Sequence, residues 1–302
     1  MNAEHESGWQ FGGVLRSEAS VTASSGMVDA MALAAQKSDP SGQTSFALKA
    51  KTKSWDGRGL QVKSPWQILD ESQTWSGRVQ IQWLQLTKLR EASGSGVINF
   101  SPTTGYTSDL NYNKNYSSTR NVFLSPPDSA GVGGSMSLFL RKDLKNQDYI
   151  DLEVWDAVSR LQWNMVGENA GLKLLPSDAL PHGVQGRQYN IASSQRMDAT
   201  YKARWGQSFQ ETNSFLDKGR WLVELERRSD LHQTWFGWST KNFSYDQTKS
   251  TPTWGASVTH DVVLGATKIA VTNSSWYAQY ATDKLSKEAH IRSMQLGWRS
   301  NF

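Results

Sequence analysis

Asp230 and His232 are the two residues whose types and spacing could best support acid–base chemistry in this chain. They lie two residues apart in the segment RRSDLH, so both side chains would point to the same face of a strand. A histidine held by a carboxylate can take up and release a proton near neutral pH. The simpler interpretation, which the sequence favours, is a polar pair beside a turn.

Other reactive groups are scarce. The chain has five histidines, which are scattered, and no cysteine. The absence of cysteine excludes disulfides, zinc–thiolate sites and thiol catalysis. The acidic residues do not have the spacing of a calcium loop, and no glycine-rich phosphate loop precedes a helix. We therefore predict neither a metal site nor a cofactor.

The composition excludes several classes of protein. Hydrophobic residues make up 37% of the 302 residues, and mean hydropathy is −0.57. No stretch approaches the roughly 18 apolar residues of a transmembrane helix. A formal net charge of +4, with acids and bases interspersed, does not indicate nucleic-acid binding. The 14 tryptophans each need a place for an apolar ring with a polar N–H, which a core or a membrane interface provides.

Alternation of apolar and polar residues is the main pattern of the chain. In segment 196–205, Tyr201 and Trp205 fall on one face of a strand, and Lys202 and Arg204 on the other. Turn sequences such as DGRG and SGSG separate similar segments. Examples are 8–20, 43–54, 75–89, 134–143, 148–156, 189–206, 218–229, 231–245, 252–262, 267–280 and 289–302. We predict one all-β domain spanning 1–302, with about 12–14 antiparallel strands.

Residues 24–37, which are rich in Ala and Met, are the exception to this alternation. They predict a short helix between the first two strands, or a loop with a helical turn. Pro40 ends the segment.

Two architectures fit such strands: a soluble β protein and a membrane β-barrel. The segments approach the roughly nine to eleven residues that a tilted membrane-crossing strand needs, whereas soluble strands average about five or six. Many tryptophans fall near the ends of segments, as at membrane interfaces. These two features favour the barrel.

The last residues strengthen this prediction. The segment GWRSNF, with Gly297, Trp298 and the terminal aromatic residue Phe302, resembles the C-terminal β-signal of Gram-negative outer-membrane β-barrels. Ser300 departs from the apolar residue usual two positions before the end. The resemblance names a superfamily and no subfamily. It implies recognition by the barrel-insertion machinery, and a place in the bacterial outer membrane among its lipid and lipopolysaccharide. The first residues show no signal peptide in this chain.

A barrel would pair 8–20 with 289–302 and would turn the polar face inward. The predicted lumen-lining residues are Arg16, Lys49, Lys51, Arg78, Arg141, Asp151, Glu153, Arg196, Asp198, Lys202, Arg204, Arg220, Glu224, Glu226 and Arg299. Basic residues outnumber acidic ones in this set, which favours anions in a narrow pore. We therefore expect a channel, not an enzyme, for hydrophilic and anionic or sugar-like solutes. The same charges could instead pair across strands and fill the barrel.

Two further functions stay open. A plug formed by residues 24–37 would suit an export pore for a polysaccharide or a secreted polypeptide. A hydrolase in the barrel is the other possibility, because outer-membrane proteases of the omptin type carry an acid-x-His pair like Asp230 and His232. Those proteases also need a pair of aspartates, and Asp148 and Asp151 match it poorly. His5 and Ser7 have the His-x-Ser spacing of the outer-membrane phospholipase.

Overall fold

The computed structural model describes residues 8–72, 74–117, 130–144, 148–174, 184–208, 219–229, 231–240, 243, 254–273, 276–283 and 292–298. These residues form fourteen strands of six residues or more, one two-residue strand and one helix. The strands are β1 Gln10–Ala23, β2 Thr44–Lys63, β3 Gln67–Ile68, β4 Trp75–Ser101, β5 Gly105–Tyr116, β6 Gly131–Asp143, β7 Tyr149–Leu174, β8 Val184–Gln195, β9 Thr200–Ser208, β10 Gly219–Arg228, β11 Leu231–Thr240, β12 Gly255–Asp261, β13 Thr267–Thr272, β14 Trp276–Thr282 and β15 Arg292–Trp298; the helix is α1 Ser25–Gln36.

All strands belong to one antiparallel sheet, which confirms the predicted all-β class and the short helix. The hydrogen-bonded path across the sheet is β1-β2-β4-β5-β7-β9-β10-β11-β12-β13-β14-β15. The other three strands share a position with one of these. Strand β3 pairs with β4 beyond the end of β2. Strands β5 and β6 lie end to end between β4 and β7. Strands β8 and β9 lie end to end on the other side of β7.

The long strands keep the same side of the sheet buried along their length because bulges reset the alternation of their side chains. Asp56 pairs with Lys88 and Gly57 pairs with Leu86, so Thr87 is an extra residue in β4. The extra residue lets Leu86 and Leu89 both be buried although they differ in parity. Asp156, with φ of 55°, lies at a second irregularity in the pairing of β6 with β7.

The two faces of the sheet have an inverted distribution of polarity. Exposed fractions reach 86% for Leu15 and 66% for Leu60, whereas Gln80 and Glu224 are 1% and 2% exposed. Apolar side chains are normally the buried ones in a water-soluble protein. We call the side that carries Gln80 and Glu224 the buried face, and the opposite side the outer face.

The sheet curls strongly toward its buried face. Strands β1 and β10 are six neighbour steps apart on the hydrogen-bonded path, which is about 29 Å along a flat sheet. Yet Arg228 on β10 donates to Glu18 on β1 at 2.7 Å. Among the described strands β1 pairs with β2 and β15 pairs with β14; the predicted pairing of 8–20 with 289–302 is not among these ladders.

Helix α1 follows β1 and packs beside β2. The Ser24 hydroxyl caps it by accepting from the N–H of Met27 at 3.3 Å, and Lys37 ends it with a φ of 52°. A Cβ at Gly26 would lie 2.5 Å from the carbonyl oxygen of Ala47, so glycine permits this close approach. No side chain of α1 is buried, and no helix of the described chain is long and apolar enough to cross a membrane.

Candidate functional site

The candidate site is the charged, buried face toward which the sheet curls. Successive rows of the buried face can be followed along β10, where Arg220, Leu222, Glu224, Glu226 and Arg228 alternate with outer-face residues. Arg220 lies near the edge of the sheet where β10 begins, and Arg228 lies at its far end. Alternation of the backbone therefore places charges at several depths of one interior.

At the far end, four charged residues form a connection across the interior, which we call the latch. Arg16 donates to Asp156 on β7, with Nη1 2.8 Å from Oδ1, and its Nε lies 2.8 Å from Glu18 Oε1. Glu18 also accepts from Arg228 at 2.7 Å. Three separate strands are thus joined by charge-assisted hydrogen bonds, which are the strong class of such bonds.

Glu224 is the centre of the middle layer. Its carboxylate accepts from Arg204 Nε at 2.8 Å and from Lys268 Nζ at 2.6 Å. All three side chains are at most 5% exposed. Arg204 also pairs with Glu153, and the neighbouring row holds a Lys202–Glu226 pair at 2.9 Å. Buried ions persist only when they are paired in this way, so each partner holds the others in place.

The layer nearest the start of β10 stacks arginines on aromatic rings. The guanidinium groups of Arg141 and Arg220 lie 4.9 and 5.0 Å from the ring centre of Tyr149. Arg78 lies 4.7 Å from the Trp66 ring and 5.1 Å from the Phe139 ring. Arginine suits such sites because its flat guanidinium stacks on rings and stays charged.

An apolar cluster packs beside the latch. It contains Trp55, Leu84, Leu86, Leu89, Leu161, Trp163, Val166 and Met197. Trp55 pairs with Glu18 of the latch, and Leu86 pairs with Gly57, which in turn pairs with Arg16. The connection between β8 and β9 contributes Met197, and Lys53 holds that connection by donating to the carbonyl of Arg196 at 2.9 Å. A water-sized cavity of about 10 Å³ lies beside the latch, lined by Glu18, Lys53, Asp198 and Arg228 among others.

Several polar atoms of the buried face have no hydrogen-bond partner in the part of the chain that is described. Both amide atoms of Gln80 belong to this group, as do the hydroxyl groups of Ser76 and Ser135 nearby. Ser257 and Thr259 form a second group on β12. Leaving such groups dry costs about 1–3 kcal/mol each, and buried water normally satisfies them.

The structure places the fifteen predicted lumen-lining residues in three groups. Buried or half-buried on the buried face are Arg16, Arg78, Arg141, Asp151, Glu153, Lys202, Arg204, Arg220, Glu224 and Glu226. Exposed residues are Lys49, Lys51, Arg196 and Asp198. Arg299 lies outside the described residues.

The predicted insertion signal lies only partly within the described chain. Gly297 and Trp298 belong to β15, where they pair with Tyr277 and Trp276 of β14. Phe302 lies outside the described residues.

Two residues of the charge network were not predicted from the sequence. Asp156 follows the alternating residues of β7 at an irregularity, and its parity gave no indication of an inward position. Lys268 is a single cation in the short strand TKIAVT, and an isolated lysine is weak evidence on its own. A charged residue inside a β-branched, apolar strand is nevertheless the signal that could have identified it.

The candidate catalytic residues lie only partly within the described chain. His232 is exposed on β11 beside Arg227, and Asp230, His5 and Ser7 lie outside the described residues. Asp148 accepts from the backbone N–H of Ser208 at 2.6 Å. In the described chain, no group of three or more His, Asp or Glu side chains could hold a metal ion.

The turn between β3 and β4 contains the carboxylate with the clearest shift in pKa outside the strands. Hydrogen bonds from the Ser72 hydroxyl and from the Trp75 N–H, with a smaller contribution from Thr74, lower the pKa of Asp70 to about 2. The Trp75 N–H lies 2.8 Å from Asp70 Oδ1. The ionised carboxylate therefore organises the entry into β4.

Comparisons of this chain with protein-family models, with curated proteins and with solved structures find no match, so its likeness to known proteins identifies no family.

Proposed function

We propose that this chain is an outer-membrane β-barrel that conducts small hydrophilic solutes, preferentially anionic or sugar-like ones, through an interior held closed by ion pairs. The observation that carries the proposal is the inverted polarity of the sheet. Large apolar side chains such as Phe11, Leu15 and Leu60 are more than 60% exposed, while charged side chains are buried. This distribution is unfavourable in water and favourable in lipid.

The extent of the apolar outer surface supports a membrane crossing. Outer-face apolar residues run from Trp75 to Trp83 on β4 and from Val132 to Leu140 on β6. Each run is about nine residues, close to what a tilted strand needs to cross the hydrocarbon core. We call this surface the apolar belt. Because hydrocarbon cannot satisfy an open sheet edge, we propose that β1 and β15 meet and close the barrel.

Tryptophans support the position of one membrane interface. Trp9, Trp75, Trp254 and Trp276 precede or begin β1, β4, β12 and β14, which all start at the same edge of the sheet. We call it the tryptophan edge. Trp254 and Trp276 also contact each other, with ring centres 5.1 Å apart. Indole rings prefer the headgroup level of a bilayer, so this edge fits one membrane surface.

The interior supports a path for water and polar solutes. The unpartnered amide of Gln80 and the hydroxyls of Ser135 and Thr259 need water when buried. Arg78, Arg141 and Arg220 form the layer toward the tryptophan edge, where positive groups would favour anions. The latch and the apolar cluster beside it are the barrier that must open.

Single-channel recording tests this proposal. In planar bilayers we expect rare, small openings with anion selectivity from the unmodified chain. Replacing Glu18 and Arg228 by glutamine should make openings larger or more frequent. A protein that inserts but stays silent in both forms would contradict conduction, and selection of cations would contradict the preference for anionic solutes.

The plug on which polymer export depends has no support in the described chain. Helix α1 has no buried side chain and contacts β2. Conduction of small solutes therefore remains the function that the geometry supports best. The barrel-insertion machinery would act on the segment that contains Gly297, Trp298 and Phe302.

A further inference from the structure

A group of basic side chains lies on the outer face, toward the end of the apolar belt opposite the tryptophan edge. Its members are Arg58, Lys88, Arg90, Lys114, Arg160 and Arg227, and we call them the basic collar. Arg58, Arg90, Arg160 and Arg227 are exposed, and the two lysines are half-buried.

Strand register places the collar on the outer face. Leu60 pairs with Trp83, both exposed members of the belt, and Arg58 is the next outer-face residue after Leu60. Trp83 pairs with Gly134, which in turn pairs with Arg160, so Arg160 lies in the row of Trp83. The collar therefore begins where the belt ends.

The other half of the collar follows from the same alternation. On β4, the extra residue Thr87 brings Lys88 and Arg90 to the outer face, because Lys88 pairs with Asp56 and Arg90 with Ser54. On β10, Arg227 follows Leu225, which is 50% exposed, and pairs with His232.

The collar has few anionic partners of its own. Lys88 lies 3.8 Å from Asp56, the outer-face carboxylate in the described part of these rows. Arg58 Nε lies 3.4 Å from the amide oxygen of Gln85. Arg90, Arg160 and Arg227 make no ion pair with a carboxylate among the described residues. Their charges are thus available to a ligand.

We propose that the basic collar binds the phosphate groups of anionic lipids in the leaflet that it faces. This inference rests on the proposed membrane location, since the collar lies at headgroup depth only if the belt is in hydrocarbon. Guanidinium groups match phosphate with two parallel hydrogen bonds, and basic residues at a membrane surface attract anionic lipid. Tryptophans at one edge and arginines at the other also give the barrel a fixed orientation in an asymmetric membrane.

Thermal unfolding in maltoside micelles, which carry no phosphate, tests the collar. We expect phosphatidylglycerol to raise Tm by about 4 °C more than phosphatidylcholine, and about 1 M salt to remove the difference. The variant with Arg90→Gln and Arg160→Gln should lose at least half of it. The control with Lys49→Gln and Lys51→Gln removes the same charge elsewhere and should keep it.

Three results would overturn the proposal: equal effects of the two lipids on the unmodified chain, a full effect in the Arg90/Arg160 variant, or the same rise with inorganic phosphate alone. Insertion into phosphatidylcholine vesicles is measured separately. A chain that inserts there but does not respond to phosphatidylglycerol refutes the collar alone. A chain that fails to insert refutes the membrane location.

Discussion

Arg228 and Glu18 meet at 2.7 Å although their strands lie six neighbour steps apart in the sheet. Only a sheet that curls around its buried face can bring them together. The contact therefore reports both the shape of the sheet and the state of its interior. It links the fold to the proposed conduction, because the same ion pair lies across the space through which a solute would pass.

Replacing Glu18 by glutamine should open the latch. The substitution removes the charge that holds both Arg16 and Arg228, and a charge-assisted hydrogen bond contributes about 1.5–3 kcal/mol. We expect the open probability in planar bilayers to rise about tenfold or more, since about 1.4 kcal/mol changes an equilibrium tenfold. Glu71→Gln, in an exposed turn, is the matched control and should conduct like the unmodified chain. Identical recordings from both variants would argue against the latch.

Replacing Glu224 by glutamine should destabilise the folded chain by about 3–5 kcal/mol, because it leaves Arg204 and Lys268 buried without their shared anion. Glu226→Gln changes the same type of residue on the same strand. Its side chain is 21% exposed and pairs with Lys202, so we expect a loss of about 1 kcal/mol or less. Urea unfolding in lipid vesicles measures both values. Equal losses of unfolding free energy would mean that the buried Glu224 network stabilises the fold no more than the partly exposed Glu226 pair does.

An arginine at Ile81 should prevent or weaken membrane insertion. Ile81 is 40% exposed on the outer face and lies inside the belt on β4, between Val79 and Trp83. A cation facing lipid near the bilayer centre costs about 2–4 kcal/mol. Ser95→Arg places the same charge on an exposed position of the same strand, beyond the belt, and should insert normally. The inserted fraction is read from protease protection in vesicles.

Asp70 should make the turn before β4 sensitive to acid. Its folded pKa of about 2 lies below the ordinary value of 3.8, so the ionised form stabilises the turn. This stabilisation is fully present above pH 3.8 and is lost as pH falls through about 2. Carboxyl NMR shifts should titrate with that low midpoint. In Asp70→Ala the order of the turn should no longer change with pH in this range; an ordinary midpoint for Asp70 would contradict the hydrogen-bonded turn.

The strand class could be predicted from the sequence because alternation is a local property. Tyr201 and Trp205 alternate with Lys202 and Arg204, and the structure keeps these two pairs on opposite faces of β9. For residues 24–37 the sequence left a short helix and a loop with a helical turn open. The structure has the helix, within about one residue of those bounds, because residues rich in alanine favour a helix locally.

The assignment of charged residues to the inner face was wrong where the alternation of the strand is interrupted. The sequence put Arg196 and Asp198 inside, yet the irregular connection between β8 and β9 buries Met197 and exposes both charged residues. Lys49 and Lys51 keep the expected parity but lie beyond the filled interior, on the part of β2 that extends past the latch. Long-range pairs such as Arg16 with Asp156 depend on curvature, which no local pattern encodes.

The alternating accessibility of β4 tests the central claim that the outer face contacts lipid. Because the chain has no cysteine, single cysteines at Val79, Ile81 and Trp83 and at Gln80 and Gln82 can each be spin-labelled uniquely. In reconstituted vesicles, labels at the first three positions should collide with oxygen and be shielded from a water-soluble nickel complex. Labels at the two glutamine positions should not show high oxygen accessibility. In the same vesicles, free contact of the Val79, Ile81 and Trp83 labels with the nickel complex would contradict the account.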